Sequence, residues 1–284
     1  MVRYLLALLV VVPTFAFGQG RLLRVERVKG RAWLVFSGRR QRLRAGMLNF
    51  GVTIECERGA KAEIAMPDGS RVILLPPPAG CRRTRATFGR TRRGKDAVFL
   101  EEGAAKALFA TTRFCVVGKK FSVEPFAKKL SRKKFLAEGL VRLVRKKKQW
   151  WWSVFAIANG LKVLLSDSGA EITVPENEVA LVRFLEKEKR WQIRADEANE
   201  KNITLRARDG TKTDLAANQS VEISADRKDK KKYGLVVRPP APPGVPGLRL
   251  KREPHLRLPV DTPYEDPGEL QEAPDVTPAQ PEEG

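Results

Sequence analysis

The chain has 284 residues, enough for one or two compact domains, and carries 54 Lys+Arg against 33 Asp+Glu, a formal net charge of +21. A field of that sign draws polyanions such as nucleic acid, anionic lipid or acidic polysaccharide, and says nothing about fold. The alternative is that many of these charges simply solvate strand faces. The only histidine is His255, between Pro254 and Leu256. A Ser-His-Asp or Cys-His site needs an ordered imidazole beside its nucleophile, and a zinc site needs three or four convergent ligands, so neither class is expected. No cofactor is expected either.

Residues 1–18 read as a signal peptide. Arg3 supplies a positive start, Leu5 to Val12 is an apolar run, and Ala16 and Gly18 are small residues at the −3 and −1 positions before Gln19. The apolar stretch is shorter than the roughly 20 residues of a membrane span. Cleavage after Gly18 and a periplasmic or secreted location are therefore expected, with an uncleaved anchor as the alternative.

From residue 19 the chain reads as short strands broken by Gly, Asp, Asn and Pro. Val25 to Phe36 is rich in Val, Trp and Phe. Val52 to Cys56 and Ala60 to Met66 follow. Asp68-Gly69 between Met66 and Arg71 is a hairpin signal, because Gly accepts positive φ without steric cost. Pro76, Pro77 and Pro78 end that pairing for want of an N–H. Gly80 to Lys95, with seven Arg or Lys, is expected to be an exposed loop. Strands resume at Ala97–Glu101, Arg113–Val117 and Lys120–Glu124. Pro125 to Glu138 is either a basic helix or another hairpin.

Gly139 to Val144 is the next strand. Trp150–Ile157 and Leu161–Leu165 flank Asn159-Gly160, a second hairpin signal. Further strands are expected at Ile172–Val174, Val179–Leu185, Trp191–Arg194, Ile203–Arg208 and Val221–Ile223, with a turn at Asp209-Gly210. Nine prolines then fall between Pro239 and Pro267, and eight acidic but no basic side chains between Asp261 and Gly284. Such a stretch is expected to be extended or disordered. The organisation is thus a leader (1–18), a first β domain (19–145), a second β-rich segment (146–238) continuous with the first or separate, and an acidic tail (239–284). The fold class is all-β, a sandwich or a short β-solenoid of hairpins.

The motifs Val28 to Val35 around Gly30, Leu43 to Met47 around Gly46, Gly51 to Ile54, and Ala62 to Leu74 around Asp68, Gly69 and Ser70 resemble the FecR domain in order and spacing. Phe114 to Glu124, with Gly118 and Phe121, resembles that family's later strand pair, with Lys119 where Thr is common. Glu138-Gly139 to Leu143 resembles the strand after it. The resemblance covers roughly residues 25–143. It implies an all-β extracytoplasmic domain for sensing, assembly or ligand display, without catalysis. Only four residues precede the apolar run, so the cytoplasmic segment with which the best-known member regulates a sigma factor is not expected.

Glu55, Glu57, Glu63 and Asp68 could supply a carboxylate pair, but strand and turn roles explain them. Gly89 to Asp96 departs from a phosphate-binding loop at Asp96, whose charge repels phosphate. Lys146, Lys147 and Lys148 beside Trp150, Trp151 and Trp152 form the one candidate surface site. Basic side chains next to aromatics suit anionic polymers or a membrane interface. Strand alternation puts Trp150 and Trp152 on one side and Trp151 on the other, so Trp151 is grouped with the lysines. The expected role is a binding or scaffold module that engages an envelope protein or an anionic polymer. A membrane-retained sensor and a nucleic-acid binder are the alternatives, the latter excluded by export. N-terminal sequencing of the native protein should read from Gln19, which excludes the nucleic-acid binder; a chain starting at Met1 would remove cleavage and leave the uncleaved anchor or the nucleic-acid binder.

Overall fold

A computed structural model describes residues 22–36, 38–126, 135–146 and 148–224, and the backbone of 236–238. The leader, the Pro-rich tail and most of the segment for which a helix or hairpin was expected lie outside these residues. The chain divides into two compact units, Met1–Pro242 and Pro243–Gly284, and every described residue belongs to the first.

Strands β1 (Leu22–Lys29), β2 (Ala32–Phe36), β3 (Arg39–Arg42), β4 (Gly46–Asn49), β5 (Thr53–Cys56), β6 (Lys61–Ala65) and β7 (Arg71–Leu75) open the fold. They are followed by β8 (Thr84–Arg90), β9 (Asp96–Glu102), β10 (Ala104–Phe109), β11 (Phe114–Gly118), β12 (Phe121–Pro125), β13 (Ala137–Lys146) and β14 (Gln149–Ala158). The last are β15 (Leu161–Leu165), β16 (Glu171–Val174), β17 (Val179–Leu185), β18 (Arg190–Ala195), β19 (Ile203–Arg206), β20 (Lys212–Leu215), β21 (Ser220–Ser224) and β22 (Val236–Arg238).

They form two eleven-stranded sheets, in the order β22-β21-β18-β17-β14-β13-β10-β7-β6-β1-β4 and β20-β19-β16-β15-β12-β11-β9-β8-β5-β2-β3. The chain fills them level by level, placing one or two strands in one sheet and then crossing to the other. Two strands between crossings leave the next ladder antiparallel; one leaves it parallel. Hence β9 and β11, separated only by β10, pair in parallel. The tight crossing from β9 to β10 depends on Gly103, at φ +95, where a Cβ would stand 2.4 Å from the Cα of Thr84.

The reason these segments form strands is a period of two. In β6, β7, β15 and β18 buried residues alternate with more exposed ones. The inward residues of both sheets make one continuous core from Leu23 to Ile223, with Trp191, Phe88, Phe109, Phe114 and Phe121 as its largest fully buried side chains. The sheets run on through residues 145 and 146, which lie inside β13, so no domain boundary falls there.

Two expectations are corrected. Thr84 to Arg90, within the basic stretch expected to be a loop, is strand β8: Thr84, Ala86 and Phe88 point inward, and the small or polar residues at the inward positions, set among Arg83, Arg85 and Arg90, masked that alternation. Asn159-Gly160 makes no hairpin. It carries the chain from β14 in one sheet to β15 in the other, since a positive-φ reversal (Asn159 φ 57) serves either connection. Asn159 Nδ2 donates to the carbonyl of Leu136 at 2.7 Å and fixes that crossing.

The cysteines are free and buried. Burial pushes the thiols of Cys56 and Cys115 up to about 12, and Cys81 is raised by burial and by Glu102. In an unfolded chain a thiol ionises near pH 8.5. The folded state therefore holds two protons that the unfolded state releases, so stability is full below about pH 8 and falls as pH rises towards 12. The expected slope is about 1 kcal/mol per pH unit per thiol. Urea midpoints measured from pH 8 to 11 should fall more steeply for the native chain than for a Cys56→Ala, Cys115→Ala variant.

Candidate functional site

The crossings and hairpin tips lie on the two long sides of the sandwich. On one side, successive levels bring together Gly30 and Arg31 between β1 and β2, Glu57 to Gly59 between β5 and β6, and Arg82 and Arg83 before β8. With Arg40 of the edge strand β3 and Glu102 of β9 they line an open cleft of about 690 Å³. Five guanidiniums face two carboxylates there.

The cleft is built on a carboxylate beneath it. Glu55 points to the outer face of β5 yet is only 1% exposed, because Arg40, Arg83 and Arg85 close over it. Arg83 Nη1 stands 3.1 Å and Arg85 Nη1 3.0 Å from Glu55 Oε1, while Arg40 pairs with Oε2. Register explains the cluster: Glu55 lies opposite Arg85 on one neighbour and Trp33 on the other, and Trp33 lies opposite Arg42. The other acids are also engaged. Trp33 Nε1 donates to Glu57 Oε1 at 2.8 Å, and the backbone N–H of Arg82 donates to Glu102 Oε1 at 3.1 Å. The guanidiniums of Arg31, Arg58 and Arg82, all exposed, have no acidic partner among the described residues.

The site expected from sequence is rearranged. Trp151 is buried at 6% exposure, under the guanidinium of Arg183 (4.4 Å from the ring centroid) and beside Val179 and Leu181 on the outer face of its sheet. Trp152 enters the core, edge-on to Phe121 at 5.7 Å. Trp150 is the exposed one, at 39%, with its indole against Gly80. Lys146 is tied to Asp196, Lys148 is exposed at the β13–β14 tip, and Lys147 lies outside the described residues. Alternation along the strand was read correctly, but an outer face can be covered as thoroughly as an inner one.

The residues singled out by the FecR resemblance lie mostly at turns and crossings. Gly30 lies in the β1–β2 crossing, Gly46 opens β4, Gly51 precedes β5, and Gly139 lies in β13. Gly118 and Phe121 flank the β11–β12 turn. Asp68 Oδ1 accepts the N–H of Ser70 at 3.0 Å, and its Oδ2 accepts the hydroxyls of Ser70 and Thr111 at 3.0 and 2.6 Å. Ser70 Oγ in turn accepts the N–H of Ala110 at 2.9 Å, which fastens the β6–β7 hairpin to the end of β10.

The chain matches no family model, no curated protein and no solved structure. Among the described residues no three His, Cys, Asp or Glu side chains gather as a metal site would require, and no helix is long and apolar enough to cross a membrane.

The cleft arginines come from distant parts of the sequence and were not singled out together. Their local signal is a basic residue within two positions of a turn glycine, as in Gly30-Arg31, Arg58-Gly59 and Gly80-Cys81-Arg82. Replacing Glu55 by Gln should cost about 2 kcal/mol, below the figure for a fully buried pair because the guanidiniums remain partly solvated. Glu63→Gln, which removes the partner of Lys61 and a carboxylate that is 23% exposed against 1% for Glu55, should shift the urea midpoint little; equal shifts would deny Glu55 its organising role.

Proposed function

We infer that the protein is a non-catalytic, FecR-like binding module that works outside the cytoplasm and holds an anionic polymer of the bacterial envelope. The observation that carries this reading is the open cleft at the strand crossings, where five guanidiniums outnumber two carboxylates and three of the five have no acidic partner among the described residues. Guanidinium forks match carboxylate and phosphate oxygens in pairs, and they are weakly hydrated, so they give up water at low cost. Arg40 and Arg83 are already held by Glu55, which lowers the entropy lost when a ligand arrives.

The non-catalytic half of the reading rests on the state of the acids. Glu55, Glu57 and Glu102 each accept from a donor, the first from guanidiniums, the second from the Trp33 indole and the third from the backbone N–H of Arg82, which are positioning roles and not those of a general acid and base. Export rests on the leader pattern of residues 1–18, and the FecR kinship on the order of the Gly and Asp-Gly-Ser motifs.

Titration with long-chain inorganic polyphosphate tests the cleft. Affinity should fall as salt rises, and an Arg58→Ser, Arg82→Ser variant should bind about tenfold more weakly, with a salt slope shallower by roughly one to two. An Arg206→Ser, Lys212→Ser variant, with the same charge removed at exposed positions of β19 and β20, should stay within about twofold of the native chain. Equal losses from both variants would mean diffuse charge and no site.

A further inference from the structure

The arginine cleft does not end at Arg83. Eight residues, Pro76 to Arg83, cross from β7 to β8, and this loop runs along the side of the sandwich until Gly80 meets Trp150 at the start of β14. A Cβ placed on Gly80, whose φ is +89, would stand 2.9 Å from Cη2 of that indole. Only a glycine lets the ring lie so close to the loop. Gly80 is two residues from Arg82, so their Cα atoms are at most about 7.6 Å apart. The indole therefore adjoins the cleft. Arg145, directly across the ladder from Trp150, and Lys148 at the same hairpin tip are both exposed.

These groups fall in one line. In sheet order β1, β6, β7, β10, β13 and β14 are successive neighbours. At about 4.8 Å per strand, the way from the level of Arg31 to that of Trp150 is about 24 Å. Along it come Arg31, Arg58, Arg82 and then Trp150. Past the tip the next two cations are paired: Lys119 lies 2.9 Å from Glu186, and Lys120 lies 3.1 Å from Asp167. Along the stripe Trp150 is the exposed aromatic ring, while the half-buried indole of Trp33 is held by Glu57.

We propose that this stripe binds an extended acidic polysaccharide, a chain of uronate-type sugars, with Trp150 stacking on a sugar ring while Arg31, Arg58 and Arg82 pair with the carboxylates. The proposal rests on the anionic-polymer reading of the cleft and adds the ligand class. A ring-free polyanion would satisfy the arginines and leave the indole idle. Single-stranded nucleic acid is held on successive aromatic side chains, one for each stacked base. Here one exposed indole accompanies several spaced guanidiniums, a ratio that suits a ligand with its charges carried on the rings themselves.

Three ligands separate the claims when titrated into the native chain, Trp150→Ala, and Arg58→Ser, Arg82→Ser. Oligogalacturonate carries carboxylates on sugar rings, inorganic polyphosphate carries charge without rings, and a single-stranded DNA oligomer carries phosphates and bases. Trp150→Ala should weaken oligogalacturonate binding about tenfold, a stacking-sized loss, and leave polyphosphate within about twofold. The arginine variant should weaken both. Loss of both ligands in Trp150→Ala would mean that the indole only props the loop, and loss of neither would mean that it makes no contact; each overturns the proposal with the cleft intact. Tighter binding of the DNA oligomer than of oligogalacturonate, with a larger loss in Trp150→Ala, would overturn it in favour of nucleic acid. An arginine variant that still bound polyphosphate like the native chain would instead remove the cleft reading beneath it.

Discussion

Two facing sheets share one apolar layer, and the strands inside each sheet supply that layer with alternate residues. The rest of the molecule follows from this constraint. A strand that points Ile54 and Cys56 inward must point Thr53 and Glu55 outward, so the chemistry of the outer face is fixed by the needs of the core. Each crossing between sheets must likewise emerge on a long side of the sandwich. Among the described residues the apolar layer is filled, and the polar and charged side chains lie on the outer faces and along the rows of crossings. The arginine cleft belongs to one such row.

Within that row the arrangement of charge follows a simple electrostatic logic. A buried carboxylate needs cationic partners, and Glu55 gathers three. The same three guanidiniums, crowded together, need an anion between them. Acid and bases fix each other, and the excess of positive charge is turned towards solvent. Glu57 and Glu102 work on a smaller scale, one on an indole N–H and the other on a backbone N–H. The acids of this basic protein orient its cations more than they cancel them.

Much of the architecture could be read in the chain because period-two alternation survives in one dimension. Strands such as β6, β7, β15 and β18 carry it plainly, and the Asp68-Gly69 and Asp209-Gly210 turns fall where the sequence put them. Three things could not be read. The short edge strands β3 and β4 bury almost nothing, so they leave no apolar pattern. The choice between returning to the same sheet and crossing to the other is made by packing, which is why Asn159-Gly160 misled. The cleft is assembled from segments that only the stacking of levels brings together. Its arginines are individually ordinary, and Trp150 was outweighed by its neighbour because nothing in the local sequence says that Arg183 will cover Trp151.

The edge strand β3 has a consequence for assembly. A sandwich built by adding levels has no intrinsic length, since the outermost strand always offers free N–H and C=O groups to a newcomer. Here that strand is Arg39-Arg40-Gln41-Arg42, exposed throughout, and its single neighbour is β2. A second molecule approaching edge to edge through its own β3 would bring three guanidiniums against three others. The basic residues of this edge thereby oppose the pairing of one β3 with another.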